Sequence, residues 1–155
     1  MIYRKRPGRQ SRYVEIMREG TNGLITDHVC RRQNAQDVEA FASMKEGMRY
    51  CELDDKFKRY RDDIFRDKYK KLFWDRPSWT VTAHLGKDCY THIHPGQPRT
   101  ITVREAARLQ SFPDNFRFWG NVGDRFRQIG NAVPPLMAWG IAEFVKRLLR
   151  GGEDR

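Results

Sequence analysis

Apolar residues are sparse and follow no period from residue 1 to 23, and Gly8, Gly20 and Gly23 punctuate that run. This predicts a basic, poorly structured arm or edge. From Asn34 the texture changes. Its side chain can cap a helix, with Asp37 at the third helical position. Val38, Phe41 and Met44 or Met48 then fall on one face, and Gly47 is the stop. The block 54–73 is densely charged. Phe57, Tyr60, Ile64 and Phe65 suit a helix face, while Tyr69 to Trp74 reads as a strand. After a turn at Pro77-Ser78, Trp79 to Ala83 alternates as one short strand and Cys89 to His94 as a second, closed by Pro95-Gly96. Thr102-Val-Arg-Glu105 has the form of a capping box, opening a helix that runs to about Ser111 before Pro113 forbids it. Pro134-Pro135 opens a terminal helix with Met137, Ile141, Phe144, Val145 and Leu148 on one side and Gly151 as its end. The pattern predicts an α+β fold, a small antiparallel sheet with flanking helices.

Charge adds a partner. Thirty Lys and Arg against twenty Asp and Glu leave a net charge of +10, which favours a polyanion, nucleic acid first among them. Between Lys56 and Lys71 eight basic residues face three acids, with aromatics interleaved. Such a run suits phosphates or a solvated helix face equally. The three cysteines, Cys30, Cys51 and Cys89, show no Cys-x-x-Cys spacing, which fits a reducing cytoplasm. Cys89, His92 and His94 lack a nearby fourth ligand, so no zinc site is expected. No apolar run is long enough to span a bilayer, and no apolar stretch follows the basic start to make a secretory signal.

Three segments carry a specific likeness. Arg99 to Asp114 (RTITVREAARLQSFPD) resembles the ninth motif of DNA cytosine-5 methyltransferases, and Arg127 to Pro135 (RQIGNAVPP) resembles the tenth. Trp74 to His84 and Thr91 to Pro95 are similar to the end of that family's target-recognition region. The strong likeness covers residues 74–145; Asp27-His28-Val29 and the 34–48 helix match more loosely. It implies a basic arm at 1–23, a recognition region at 24–98, and a motif-nine and motif-ten segment at 99–150. The terminal helix would then belong to the α/β S-adenosylmethionine-dependent methyltransferase fold of a complete enzyme and dock on its catalytic domain.

The resemblance also assigns residues. Phe112, Asn131, Ala132 and Val133 would lie at the edge of an S-adenosylmethionine site, where an amide can both donate and accept. Arg99, Thr102, Arg104, Glu105 and Arg108 would brace the segment, Glu105 as a cap and Arg108 as a buried ion-pair partner. Contacts to double-stranded DNA would come from Tyr69, Lys70, Arg76, Thr80, Thr82, His84, Lys87, Tyr90 and His92.

The reaction of the family needs a thiolate to attack C6 of a flipped-out cytosine before C5 takes the methyl group. These 155 residues hold no Pro-Cys dipeptide, no Gly-x-Gly and no Glu-Asn-Val. Gln10-Ser-Arg12 resembles the eighth motif, but Val14 stands where its second arginine belongs. No residue is therefore expected to be catalytic. The chain is expected to be inactive alone, as a truncated product or one subunit of a split bacterial or phage enzyme. The competing reading is a freestanding DNA- or RNA-binding module, with Gly120-Asn-Val-Gly123 as its nucleic-acid loop.

Overall fold

The computed structural model describes residues 11–61, 63–64 and 68–151. Five α-helices form its frame: α1 (Arg12–Arg18), α2 (Ala35–Ser43), α3 (Val103–Leu109), α4 (Val122–Asn131) and α5 (Pro135–Gly151). Short 3-10 turns stand at Tyr50–Glu52, Asp55–Phe57 and Ala83–Gly86.

The expected antiparallel sheet is not there. Among the described residues pairing is limited to two isolated bridges, Lys71 with Ile93 in parallel and Ile93 with Thr100 antiparallel. Backbone geometry explains the difference. Tyr69 at φ 39° and Cys89 at φ 64° take left-handed conformations that no continuous strand accepts. Thr82 to Gly86, the end of the first expected strand, turns into a 3-10 coil instead. An irregular ladder remains, with Leu72 N–H donating to Ile93 O at 2.9 Å, Ile93 N–H to Lys70 O at 2.9 Å and Ile101 N–H to His92 O at 3.0 Å.

Two apolar clusters lie beside that ladder. One gathers Leu72, Leu85, Ile101, Val103, Phe112, Phe118, Phe126 and Ile129 under α3 and α4. The other gathers Ala40, Phe41, Met44, Tyr50, Leu53, Tyr69 and Ile93 under α2. Helix α2 starts at its Asn34 cap, where Oδ1 accepts from Asp37 N–H at 2.8 Å. It stops at Ser43, short of Gly47, because the buried Lys71 ammonium donates to the terminal carbonyls of Phe41 and Met44. That cation satisfies orphan acceptors a further turn would have used.

Two other expectations change. Arg12–Arg18 is helical, capped by Ser11, where an irregular arm is predicted. Met17 buries itself, and Tyr13 donates its hydroxyl to Arg108 O; residues 1–10 lie outside the described residues. The helix face expected through Phe57 and Tyr60 does not form. The Tyr50 hydroxyl takes both backbone groups of Tyr60, accepting from its N–H at 2.5 Å and donating to its carbonyl at 2.9 Å. Phe65, the last residue of that face, lies outside the described residues.

Candidate nucleic-acid and cofactor-edge site

Helix α3 is the organising element. Thr102 Oγ1 accepts from Glu105 N–H at 3.2 Å while Glu105 accepts from Thr102 N–H at 2.7 Å, closing a capping box. Arg99 meets both Glu105 oxygens at 2.8 Å. Burial alone would raise the Glu105 carboxyl, but the Arg99 fork and the Thr102 N–H outweigh it and hold it at about 2. Arg108 grips Asp114 through two bonds at 2.7 and 2.8 Å. Arg104 is the largest wholly buried side chain. Its guanidinium donates to the carbonyls of Thr26, Pro113 and Phe116 and to Asp27, and lies 5.7 Å from the Phe118 ring centre. Asp27 takes a second cation, Arg125 of α4, at 2.6 Å. Four segments distant in sequence are thereby tied to one ion cluster.

The segment before α4 was not read as a helix start, although its signal is present. Asn121 and Asp124 form a reciprocal capping box, and Phe126 and Ile129 fall on one buried face. Gly120-Asn-Val-Gly123 forms the cap and first turn of α4, with Gly123 against Gly86. Gly130 lies inside α4 without a positive φ, so its role is proximity rather than an unusual turn. A Cβ there would collide with the backbone of Thr82 and Ala83. The Ala83–Gly86 coil thus sits directly on α4. Arg31 fastens it by donating to the carbonyls of Gly86 and Lys87 at 2.9 and 2.6 Å, its guanidinium 4.9 Å from the Phe126 ring centre.

The DNA-contact candidates divide by exposure. Arg76, Thr80, Thr82, His84 and Lys87 face solvent, and Lys70 and Tyr90 are half-buried. Tyr69 and His92 do not reach the surface, at 0% and 1% exposure. Tyr69 and Tyr90 both donate their hydroxyls to buried Asp37, which Arg59 also meets at 2.7 Å. Burial alone would raise the Asp37 carboxyl, yet these three donors hold it below the usual carboxylate range. His92 turns inward to the Trp79 carbonyl at 3.1 Å, and burial lowers its imidazole. Arg76 and Thr80 share an open groove of about 660 Å³ with Tyr13, Trp79, Arg108 and Gln110.

At the cofactor-edge candidates, Asn131 ends α4 exposed, Ala132 caps it with its N–H on Ile129 O, and Val133 is 59% exposed. Phe112 is buried in a ring triad with Phe116 and Phe118. Two bonds join the ends of the motif segments: Gln110 Nε2 to Ile129 O at 3.3 Å, and Leu136 N–H to Ser111 Oγ at 3.1 Å. Neither Gln110 nor Ser111 stood out in the sequence. Asn131 and Val133 stand exposed on one open edge and enclose no cavity between them.

Burial pushes the Cys89 thiol up to about 12, so it stays protonated at neutral pH. Among the described residues no group of three His, Cys, Asp or Glu could hold a metal, and no helix is long and apolar enough to cross a membrane.

The model of C-5 cytosine-specific DNA methylases matches residues 5–147. The chain is 45% identical over 138 residues to M.OihORF3336P, described as a type II methyltransferase of Oceanobacillus iheyensis, with 88% of this chain and 30% of that protein covered. It is 41% identical to type II methyltransferase M.AgeI of Thalassovita gelatinovora, covering 90% of this chain and 32% of that one. Among solved structures, an E. coli protein encoded within a prophage and described as a DNA modification methyltransferase is 33% identical with a TM-score of 0.62. That likeness covers 83% of this chain and 31% of the other. The chain thus spans about a third of the length of the curated relatives it matches. With the family model spanning nearly all of it, this chain belongs to the C-5 cytosine-specific DNA methylases.

Proposed function

We propose that this chain is the DNA-recognition and cofactor-site-completing part of a DNA (cytosine-5)-methyltransferase. The observation that carries the reading is the seat of the Ala83–Gly86 coil on α4 at Gly130, one residue before Asn131. One ten-residue helix then spans the distance between side chains suited to DNA and the turn suited to a cofactor's edge. Thr80, Thr82, His84, Lys87 and Arg76 supply donors and cations to a duplex. The Asn131 amide offers a donor and an acceptor to the amino-acid end of S-adenosylmethionine, and Val133 an apolar contact. Phe112 acts from beneath, by supporting the turn. The cofactor supplies the methyl group when bound.

The attacking thiolate and the glycine-rich cofactor turn come from outside these 155 residues. Helix α5 offers the face for that catalytic region, since Met137, Ile141, Phe144 and Leu148 share one side and are each at least half exposed. The test is reconstitution. A catalytic fragment bearing the Pro-Cys and glycine-rich motifs is mixed with this chain, a DNA duplex and methyl-labelled S-adenosylmethionine. Label should reach DNA only with both proteins present; no complex and no transfer would defeat the proposal.

A further inference from the structure

We propose that Arg49 and Lys70, held over the Trp79 ring, form a sequence-independent binding site for the phosphodiester backbone of DNA. The inference rests on the DNA-recognition reading and assigns Arg49 and Trp79, which the sequence left unmarked. The Arg49 guanidinium carbon lies 5.0 Å from the Trp79 ring centre and the Lys70 ammonium 5.5 Å from it. Two cations converge on one indole, whose negative face tolerates both. Arg49 is exposed. Its nearest carboxylate neighbour in sequence, Glu52, is occupied by the Arg49 backbone N–H at 2.7 Å. Glu46 faces Trp74 N–H instead.

The site is built rather than incidental. The Trp79 carbonyl is held from below by buried His92, and the Trp79 ring leans on the apolar cluster under α3 and α4. Lys70 is fixed by ladder bonds, its N–H to Tyr90 O at 3.2 Å and its carbonyl from Ile93 N–H at 2.9 Å. Arg49 opens the Tyr50–Glu52 turn, anchored by wholly buried Tyr50. The patch continues the Arg76 edge, where that guanidinium stacks 4.7 Å from the Phe73 ring centre, and adjoins the groove that Trp79 and Thr80 line. A guanidinium stacked on a ring, as that of Arg49 is, is weakly hydrated and oriented before a ligand arrives, and the Lys70 ammonium adds a point charge beside it, which suits repeated phosphates. A phosphate contact carries no base information, so the patch adds affinity and register but not target choice.

The experiment titrates a short fluorescein-labelled DNA duplex of mixed sequence with the full chain, by anisotropy, from about 50 to 200 mM salt. Arg49→Gln should weaken binding about three- to tenfold at the lower salt and reduce the slope of log affinity against log salt by about one. Trp79→Leu should reproduce part of that loss, and Trp79→Phe, which keeps a ring for the cations, should restore most of it. Circular dichroism establishes that each variant is folded, and Arg49→Gln, at an exposed position, keeps the test open if Trp79→Leu is not. An unchanged affinity and slope for Arg49→Gln, while the parent chain binds DNA, would overturn this site and leave the DNA-recognition reading intact. Failure of the parent chain to bind DNA at all would instead count against that reading and this site together.

Discussion

Substituting alanine for glycine inside a helix ordinarily stabilises it by about 0.8–1 kcal/mol. At Gly130 the sign should reverse. The added Cβ would meet the backbone carbon and oxygen of Thr82 and the nitrogen of Ala83, none of which can rotate away. Backbone must give way by roughly an ångström, which puts the cost at the upper end for overpacking, about 2–3 kcal/mol. The helix gain offsets part of that, leaving a net loss of about 1–2 kcal/mol. Gly140, in α5, is the internal control: a Cβ there meets nothing within 4 Å. Gly140→Ala should hold or raise helix content, seen by far-ultraviolet circular dichroism. Urea titration of Gly130→Ala should lower the midpoint by about 0.5–1 M at an unchanged slope of ordinary size for a small domain. Because the strain falls on the Ala83–Gly86 coil, DNA affinity should drop as well. If Gly130→Ala proves as stable as the parent, the direct seating of the coil on α4 is wrong.

Arg104→Ala strips three carbonyls and Asp27 of their donor in a site with no exposure, and should cost about 3–5 kcal/mol, abolishing cooperative thermal unfolding. Glu105 sets an acid limb. Its folded value of about 2 lies below the ordinary 4.5, so its stabilisation is present above pH 4.5 and is lost as pH falls through about 2. Melting temperatures of Glu105→Gln should therefore converge with those of the parent toward acid; parallel curves would refute the assignment. Iodoacetamide on the native chain should modify exposed Cys30 and Cys51 and spare Cys89, which should react only after denaturation. Mass spectrometry reads that difference directly.

Helices with a local start signal were legible in the sequence: the Asn34 and Thr102 caps both stand where their side chains predict. Helix α4 carried an equivalent signal at Asn121 and Asp124, but Gly123 and Gly130 lower the helical propensity of its ten residues. Their reason is contact with Thr82 and Gly86, residues far away in the chain, and no local pattern encodes that. The sheet failed for a related cause. Alternation at 79–83 and 89–94 is real, but Cys89 adopts φ 64°, Thr82 leads into a 3-10 turn and His92 turns inward to a carbonyl. Of the expected DNA contacts, Arg76, Thr80, Thr82, His84 and Lys87 are exposed, as such a contact requires. Tyr69 did not reveal that it is consumed by Asp37, because a tyrosine beside lysines looks the same whether it points out or in. Arg31 and Arg49 were silent for the same reason, as cations among thirty.

The irregular ladder has a consequence of its own. Side chains along 69–72 and 89–93 leave it in opposite directions, Leu72 and Cys89 into one cluster, Tyr69 and Ile93 into the other. It is a partition wall between two interiors. On one side lie the motif helices and the Arg104 wiring; on the other, a tyrosine-rich chamber built on α2. Mutations accumulating in one chamber need no matching change in the other, provided the wall keeps its course. A lineage can thus remodel the chamber while the motif helices keep their geometry. Exchange of residues 34–68 between relatives should therefore be tolerated more readily than a single change in the wall.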